Sequence, residues 1–578
     1  MSIIFRCLNG IAALGICLCA GTGAEATDRF VNRINPDPES PFITWAKAAT
    51  NIQDAVNAAD PGDTVWVTNG VYDGGYGLVN GDSTTRVAVT KALVLRSVNG
   101  PTVTVITGDI LTDRIRCVYL TNGATLSGFT LRDGAAQIPS GPDFEKSGGG
   151  IYGEPGAIVS NCVIVGNYAY NLGGGACGGG TYFDTQFISN HANHGGGACS
   201  GVFYRCTFSN NWATWYGGGT RAGYFFQCRL NNNQAREGGG AYQAVLTNCW
   251  LEGNTATNLG GGATRSILDN CTLARNSCQA YGGGLSYSFF RACCLSNNSA
   301  TTNGGGAYGC TGICSVVTYN QAYDGGGTYL GLYSNCLFTY NWVNASGGGA
   351  YNCELYQCTM ATNTGNSGGG GAKYGTVRNC IAYYNRGGTD VSRNLSGATV
   401  SYSCSMPLAT GDGNITNAPL FADSVAGDYH LQVGSPCIDS GAAGASGPPD
   451  LDGIPRPLDG NNDGTAVEDM GCYEYIHPAA DSDGDRIRDA DEFYCDTDPV
   501  DPASFFHVTN APLRGEAGTE IQWNGTVRRT YRVERSTNLV DSSFMVVASN
   551  LEGNVSVSYT DENPPPDAPA VYYRVFTE

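Results

Sequence analysis

The sequence predicts an all-β protein built around a right-handed parallel β-helix of about eleven 22-residue coils. Three features recur with one period: a Gly-Gly-Gly triplet, an asparagine and, five residues before that asparagine, usually a cysteine. A fixed period of this length is typical of solenoids, in which each repeat forms one coil and stacks on its neighbours. Glycine accounts for 83 of 578 residues and charged residues for only 14%, a composition that also favours a repetitive β scaffold.

The positions of the three features define the coils. After a first gap of 25 residues, the triplets are spaced 21 or 22 residues apart and start at Gly148, Gly173, Gly195, Gly217, Gly238, Gly260, Gly282, Gly304, Gly325, Gly347 and Gly368. The asparagines are Asn167, Asn190, Asn211, Asn233, Asn254, Asn276, Asn298, Asn320, Asn341, Asn363 and Asn385. The cysteines are Cys162, Cys206, Cys228, Cys249, Cys271, Cys293, Cys336, Cys358 and Cys380, with Thr185 and Ser315 in the two gaps.

Alternation along a strand predicts which side chains point inward. A cysteine and the residue two positions later, such as Cys206 and Phe208, share one strand face. We therefore expect the cysteines to be reduced and buried, with disulfides between neighbouring coils as the alternative. The asparagines are expected to adopt left-handed backbone conformations and to form hydrogen bonds along a ladder of turns. A leucine-rich repeat needs more leucines per unit, and helical repeats would be broken by the glycines.

The N-terminal residues have the features of an export signal. A positive charge at Arg6 precedes an apolar run from Ile11 to Ala20 and a small-x-small site at Ala24–Ala26. The sequence therefore predicts a signal peptide over residues 1–26, of Gram-negative bacterial type, and a secreted or outer-membrane surface location. No transmembrane segment is expected after its removal, and the protein is expected to be a monomer. The mature chain would retain an odd number of cysteines, so at least one thiol stays free.

Several segments resemble known β-helix proteins. The Phe-x-x-Asn elements at Phe187 and Phe208, each followed by a glycine block, resemble the repeats of chlamydial polymorphic outer-membrane proteins. More broadly they resemble the pectin-lyase-like class of right-handed β-helices. The segment Asn51–Tyr72 is similar to the opening of many bacterial members, in which a short helix caps the first coil. The resemblance covers about residues 45–405 and implies the fold, because this fold carries many functions.

The acidic C-terminal third resembles two other modules. Gly427–Tyr475 is similar to the choice-of-anchor module that closes many bacterial surface β-helices, and its expected role is to cover the open last coil. The loop Asp481–Glu492 and the residues after it resemble a thrombospondin type 3 repeat. The carboxylates at positions 1, 3, 5, 9 and 12 and the carbonyl at position 7 have the spacing by which one loop surrounds Ca²⁺. The expected ligands are Asp481, Asp483, Asp485, Ile487, Asp489 and Glu492.

One residue departs from this calcium pattern. Arg486 replaces the glycine expected at position 6, which should strain the turn and weaken binding. From about Phe506 the chain consists of short alternating segments, which suggest a small β-sandwich. The expected organisation is thus a signal peptide (1–26), a β-helix (27–405, with an N-terminal cap and first coils over 45–147 and regular repeats over 148–404), a C-terminal cap (406–476), a calcium-binding linker (477–505) and a sandwich (506–578).

The distribution of charged residues indicates which ligands and activities are favoured. Asp450–Asp501 carries 16 Asp and Glu residues against 3 Lys and Arg, so we expect divalent cations, and not nucleic acid, as partners. Polysaccharide-cleaving enzymes need clustered carboxylates. The seven acids between Gly148 and Arg386 stand at different repeat positions or in distant coils, so enzymatic activity is not favoured.

Aromatic residues give more support to binding, since exposed rings can stack on sugars. The expected ligand-binding positions are Tyr152, Tyr182, Tyr242, Tyr308, Tyr329, Tyr351, Trp212, Trp215, Tyr216 and Trp342. The sequence therefore predicts a secreted or cell-surface protein that binds an extracellular polysaccharide or a cell-surface partner and has a calcium-stabilised stalk. The alternatives are a polysaccharide lyase or glycoside hydrolase of the pectin-lyase-like class and a purely structural or adhesive rod.

Overall fold

The protein is described by a computed structural model that covers most of the chain. The described residues are 26–79, 83–136, 143–388, 393–442, 448–495, 497–504, 509, 513–515, 518–526, 529–537, 544–554, 556–563 and 571–577. The expected signal peptide therefore lies outside the described residues except for its last position. Among the described residues, no helix is long and apolar enough to cross a membrane.

The main body is a right-handed parallel β-helix, as predicted, and three sheets run along it. The first sheet has 27 strands: Asp28–Val31, Thr64–Val67, Gly77–Val79, Ser83–Val89, Val94–Ser97, Arg116–Leu120, Thr125–Ser127, Ile151–Gly153, Ile158–Ser160, Ala176–Cys177, Thr181–Phe183, Ala198–Cys199, Val202–Tyr204, Thr220–Arg221, Tyr224–Phe226, Ala241–Tyr242, Val245–Thr247, Ala263–Thr264, Ile267–Asp269, Leu285–Ser286, Phe289–Arg291, Ala307–Ile313, Thr328–Ser334, Ala350–Tyr356, Ala372–Arg378, Leu395–Ser396 and Thr399–Ser401.

The other two sheets take one strand from each coil that they cross. The second sheet has 15 strands: Gly70–Tyr72, Thr104–Thr107, Thr130–Arg132, Val163–Val165, Gln186–Ile188, Thr207–Ser209, Arg229–Asn231, Trp250–Glu252, Thr272–Ala274, Cys294–Ser296, Val316–Thr318, Leu337–Thr339, Thr359–Ala361, Ile381–Tyr383 and Cys404–Ser405. The third sheet has 11 strands: Ala135–Ala136, Tyr168–Leu172, His191–His194, Trp212–Tyr216, Gln234–Glu237, Thr255–Leu259, Ser277–Cys278, Ser299–Ala300, Gln321–Ala322, Trp342–Val343 and Thr364–Gly365.

The glycine triplets form the corner between the third and first sheets. Gly217, with φ of 67°, has the left-handed conformation that glycine adopts without strain. A Cβ on the next residue, Gly218, would lie 2.3 Å from the carbonyl oxygen of Gln234 in the following coil. The triplets therefore recur because neighbouring coils approach too closely there for a side chain.

The asparagines form a buried amide ladder, and one part of their prediction was wrong. Asn233 donates from its backbone N–H and from Nδ2 to Oδ1 of Asn254, each at 2.9 Å, and Nδ2 also donates to the carbonyl of Phe208. The ladder asparagines do not have a positive φ. That conformation belongs to the residue before each of them, such as Asn232 with φ of 54°. The turn needs a left-handed residue, whereas the ladder needs an amide that can donate and accept at once.

The core is a stack of identical positions, as predicted. Phe187, Phe203, Phe208 and Phe225 are fully buried, and the rings of Phe187 and Phe208 stack at 4.5 Å. All 21 cysteines in the described part of the chain are free thiols, and most are buried. The backbone N–H of Cys249 donates to Sγ of Cys271 at 3.4 Å, so the thiols lie in the hydrogen-bonded turns between the first and second sheets.

The N-terminal end begins earlier than the sequence resemblance indicated. The predicted helix is present as Ile52–Ala58 and is followed by the predicted strand Thr64–Val67. However, Asp28–Val31 already pairs with that strand in parallel, so the first sheet starts before residue 45. Two short 3-10 helices, Trp45–Lys47 and Asp143–Lys146, are also present in this part of the chain.

The segment that follows the last coil does not act as a simple end cover. Met470 and Cys472 are fully buried in one apolar cluster with Leu337 and Ile381, which are outward residues of the second sheet. Cys472 donates its N–H to Oγ1 of Thr359 at 3.1 Å. This segment therefore packs along the side of the last coils, where it covers apolar residues on the outer face of the second sheet. Residues just after Cys404 pair with the last coil instead, through Ile415.

The remaining elements lie in the C-terminal part. Phe421–Asp423 and Asp428–Leu431 form a hairpin, and an α-helix spans Asp489–Cys495. Six antiparallel strands form two three-stranded sheets, which agrees with the alternating pattern of the sequence: Leu513–Gly515, Gly518–Asn524 and Ser556–Asp561 in one, and Met545–Glu552, Thr530–Ser536 and Tyr572–Thr577 in the other. Trp523 and Tyr531 are fully buried in a shared apolar cluster.

Candidate functional site

The outer face of the third sheet carries an in-register row of side chains with no carboxylate along its length. Trp212 and Trp342, which were both expected to bind ligand, are 43% and 37% exposed and lie in this row. The row runs through consecutive coils as Trp212, Gln234, Thr255, Ser277, Ser299, Gln321, Trp342 and Thr364. Two indoles thus flank five uncharged polar side chains, and a groove of about 320 Å³ lies along the polar part.

The tyrosines that follow the glycine triplets form a second row, on the first sheet. Tyr308, Tyr329 and Tyr351 are half-buried, and successive rings stack at 5.6 Å and 4.9 Å. Tyr152 stacks on Tyr119 at 6.3 Å at the other end of the sheet. Because each inner ring is covered by its neighbours on both faces, these tyrosines mainly offer edges and hydroxyl groups to a ligand.

Tyr182 was wrongly expected to be exposed. It is 1% exposed, its ring stacks on Phe203 at 4.8 Å, and it belongs to the core. The second glycine block, Gly178–Gly180, precedes it and mimics a triplet, whereas the true outward position of this coil is Cys177. Tyr242 does occupy the outward row, but the Tyr216 ring stacks on it at 4.6 Å and leaves it only 8% exposed.

Two further indoles are exposed outside the third-sheet row. Trp215, 42% exposed, lies in the same strand as Trp212, and the Arg236 guanidinium stands 5.1 Å from its ring centre. Trp250, on the second sheet, is 41% exposed and was missed by sequence reasoning. Its position directly after Cys249 marks it as outward-facing, so strand alternation could have identified it.

Three of the seven acids of the regular coils pair with arginines one coil away. Asp184 pairs with Arg205 at 2.8 Å, and Asp269 pairs with Arg291 at 2.8 Å. Glu252 pairs with Arg275 in the same manner. These contacts neutralise charge along the outer surface, and each of these three carboxylates is held beside an arginine instead of a second carboxylate.

The acidic loop brings three of its predicted ligands together. Oxygen atoms of Asp481, Asp483 and Asp485 all lie within 4.8 Å of one another. Backbone N–H groups inside the loop orient them: Asp481 accepts from Gly484 and Arg486, and Asp485 accepts from Ile487. The loop therefore wraps around a small space lined by carboxylates, which suits a hard cation such as Ca²⁺.

Glu492 supplies the most informative group of this loop. Its side chain is 1% exposed, Oε1 accepts from Thr497, and Oε2 is buried without a hydrogen-bond partner among the described residues. Burial raises the pKa of Glu492 to about 8, and the charges of Asp483 and Asp485 add to the rise. An unpaired buried carboxylate beside other carboxylates is costly, and a divalent cation would remove that cost.

Three further residues of the loop, Asp489, Arg486 and Ile487, show how its conformation is held. Asp489 is buried, begins the helix Asp489–Cys495, and uses both oxygens to accept from the N–H and hydroxyl of Ser482. It thus holds the loop closed in the structure. Arg486 takes φ of 81°, the left-handed conformation that the glycine of this motif would adopt, as the sequence predicted. The N–H of Ile487, at position 7, is bound by Asp485.

Fold and site together define the chain as a parallel β-helix protein with an acidic C-terminal loop. No protein-family model and no curated protein matches it. Among solved structures it is similar to Dettilon tailspike protein, with 10% identity, 63% of this chain and 67% of that chain covered, and a TM-score of 0.29. It is also similar to pectate lyase Pel9A (12% identity, 78% and 98% covered, TM-score 0.22) and to pectin methylesterase PemA from Erwinia chrysanthemi (12% identity, 50% and 90% covered, TM-score 0.25). No function is transferred from similarity this remote.

Proposed function

We propose that this protein is an exported β-helix that binds an extracellular polysaccharide along the outer face of its third sheet. A calcium ion in the loop Asp481–Glu492 stabilises its C-terminal joint. The row from Trp212 to Trp342 supports polysaccharide binding, and the carboxylates of the loop Asp481–Glu492 support cation binding.

The single observation that carries the binding proposal is the row from Trp212 to Trp342. Six register steps separate the two indoles, or about 29 Å at the usual spacing of strands. Between them lie only amide and hydroxyl side chains, such as Gln234 and Thr255. Indole faces stack on the apolar faces of sugar rings, and amides and hydroxyls exchange hydrogen bonds with sugar hydroxyls. A long, rigid and uncharged row fits an extended polymer better than a small molecule.

The alternative of a lyase or hydrolase receives less support. Both hydrolytic mechanisms place two carboxyl groups on opposite sides of one glycosidic bond. Asp184, Glu252 and Asp269 are each paired with an arginine of the next coil, which lowers the availability of their carboxylates for such a role. We therefore propose binding without cleavage.

The test uses the full chain and a panel of neutral and acidic polysaccharides, with calcium and with chelator. Retention on immobilised polysaccharide is measured beside the release of reducing ends and unsaturated products. The proposal predicts retention of at least one polymer with no product. New chain ends would favour an enzyme, and neither retention nor product would favour a purely structural rod.

A further inference from the structure

The third-sheet row ends in a cleft that no sequence motif marked. After Trp342 the row continues through Thr364 to Arg386, which is exposed. Beside Arg386 lies a cavity of about 440 Å³ between the β-helix and the tip of the hairpin, at Ser424 and Val425. Arg386 also lines an adjacent cavity of about 1080 Å³, so the two spaces meet at its side chain.

Two tyrosines form the floor of this cleft. The rings of Tyr319 and Tyr340 stack at 4.8 Å with an interplanar angle of 4°, and Tyr319 is 54% exposed. Tyr319 is the first ring of the stack, because the same position one coil earlier is Asn297. One aromatic face is therefore open at the end of the pair, in contrast to the inner rings of the first-sheet tyrosine row.

The backbone at these two tyrosines has a conformation that is unfavourable for their bulky side chains. Tyr319 and Tyr340 have φ of 57° and 54°, in the left-handed region that bulky residues rarely adopt. The same turn position holds Asn210, Asn232 and Asn297 in earlier coils, where asparagine suits it well, and Arg275, Thr362 and Tyr384 in other coils. Tyrosine there adds strain and is not needed for the core, since Tyr319 points to solvent. Strain of this kind collects at functional sites.

Resting on the proposed function, we infer that this cleft is the end of the polysaccharide site and binds an anionic sugar. One sugar of the polymer stacks on the open face of Tyr319. The carboxylate or sulfate of a sugar further along the same polymer pairs with Arg386, which lies three coils later and whose planar guanidinium matches both groups. Arg386 is the first charged residue in the row after Trp212, so it adds charge selectivity at one end of an otherwise uncharged row.

The test compares variants of the full chain by titration with polygalacturonate, dextran sulfate and neutral dextran. Arg386→Gln is expected to weaken binding of the two acidic polymers about tenfold or more, since it removes a charge-assisted contact, and to leave any neutral binding unchanged. Tyr319→Asn with Tyr340→Asn is expected to weaken binding while thermal stability stays the same or rises, because asparagine relieves the strained backbone.

Matched controls are Arg265→Gln and Tyr287→Asn, which change an exposed arginine and an exposed left-handed tyrosine on the first sheet. Both are expected to bind as the wild type does. A preference for only one acidic polymer would identify the anionic group as carboxylate or sulfate. Undiminished acidic binding by Arg386→Gln would overturn this inference and leave the proposed function intact. Failure of the wild type to bind any polysaccharide would overturn both.

Discussion

Ser482 donates its hydroxyl to Oδ2 of Asp489 at 2.6 Å, and Oγ of Ser482 accepts the N–H of Asp459 at 2.7 Å. Ser482 lies inside the candidate calcium loop, whereas Asp459 belongs to the acidic loop of the preceding segment. One hydroxyl therefore links two loops that the sequence suggested were separate. Ordering of the calcium loop should consequently stabilise the segment packed against the last coils.

Calcium is expected to protect this joint. At a hundredfold excess over its dissociation constant, a ligand that binds only the folded state stabilises it by about 2.7 kcal/mol. Arg486 at a left-handed position should keep affinity near the weak end of about 10⁻⁴–10⁻³ M. We predict that chelation exposes protease cleavage between Tyr475 and Phe506 in the full chain, and that Asp481→Ala with Asp485→Ala reproduces the effect of chelation.

The control for the calcium prediction is Asp423→Ala, which removes an acid that lies in the hairpin and binds only neighbouring backbone N–H groups. It should leave calcium binding unchanged. Calorimetry at millimolar calcium reports binding directly. The absence of binding heat, with equal protease resistance in calcium and in chelator, would show that the loop is an acidic linker that does not bind calcium.

The asparagine ladder should contribute strongly to stability. Asn254→Ala removes the Oδ1 atom that accepts both the N–H and Nδ2 of Asn233. Two buried donors are left unpaired, so unfolding free energy should fall by about 3 kcal/mol or more. Denaturant unfolding measures the change, and Asn344→Ala, at an exposed turn, should change it by less than about 0.5 kcal/mol. Equal effects of the two substitutions would contradict the role assigned to the ladder.

The cysteine ladder should behave as a set of buried thiols. Cys271→Ser places a hydroxyl at a 2% exposed site and is expected to destabilise the protein by about 1–3 kcal/mol. Cys294→Ser, on the outward face of the adjacent strand, should have a smaller effect. Thiol titration under denaturing, non-reducing conditions should detect most of the cysteines. One reactive thiol or none would indicate disulfides between coils instead.

His430 should make stability depend on pH. The protonated ring of His430 donates hydrogen bonds to the carboxylates of Asp452 and Asp428, and these bonds, Asp452 first, raise the pKa of His430 to about 9 from 6.5. The ring of Tyr473 lies 4.0 Å away. Because the pKa of His430 is raised in the folded state, protonated His430 stabilises the fold. This contribution to the free energy of unfolding is complete below pH 6.5 and is lost as pH rises through 9. The difference in Tm between wild type and His430→Asn should therefore shrink over that range. In an Asp452→Asn background, the Tm difference caused by His430→Asn should be smaller still. A Tm difference that stays constant at all pH values would contradict the role assigned to His430.

Much of the fold followed from the sequence because a solenoid repeats the same local solution in every coil. The spacing of Asn233 and Asn254 defined the register, and alternation placed Phe208 inside. The failures came from contacts that local patterns do not encode. Gly178–Gly180 resembles the glycine triplets at the corners, so the pattern wrongly predicted that Tyr182 would be exposed. The cleft at Tyr319 exists only because a hairpin more than a hundred residues later packs beside it.

The candidate calcium loop also combines contacts that the sequence predicts with contacts that it does not predict. The spacing of Asp481, Asp483 and Asp485 predicted that these carboxylates would gather, since neighbours in one loop stay close. The sequence could not predict that Asp489 would bind Ser482 or that Ser482 would reach Asp459, because both depend on how the loop packs against the preceding segment.

The central claim, that the third-sheet row binds polysaccharide, is tested most directly by the affinity of a double variant. Trp212→Ala with Trp342→Ala removes both exposed indoles, and a central aromatic contact is worth more than about 1 kcal/mol. With a polysaccharide retained by the wild type, isothermal titration should show affinity falling about tenfold or more, while Trp250→Ala, equally exposed on the second sheet, should bind as the wild type does. Unchanged affinity in the double variant, or an equal loss in Trp250→Ala, would contradict the account.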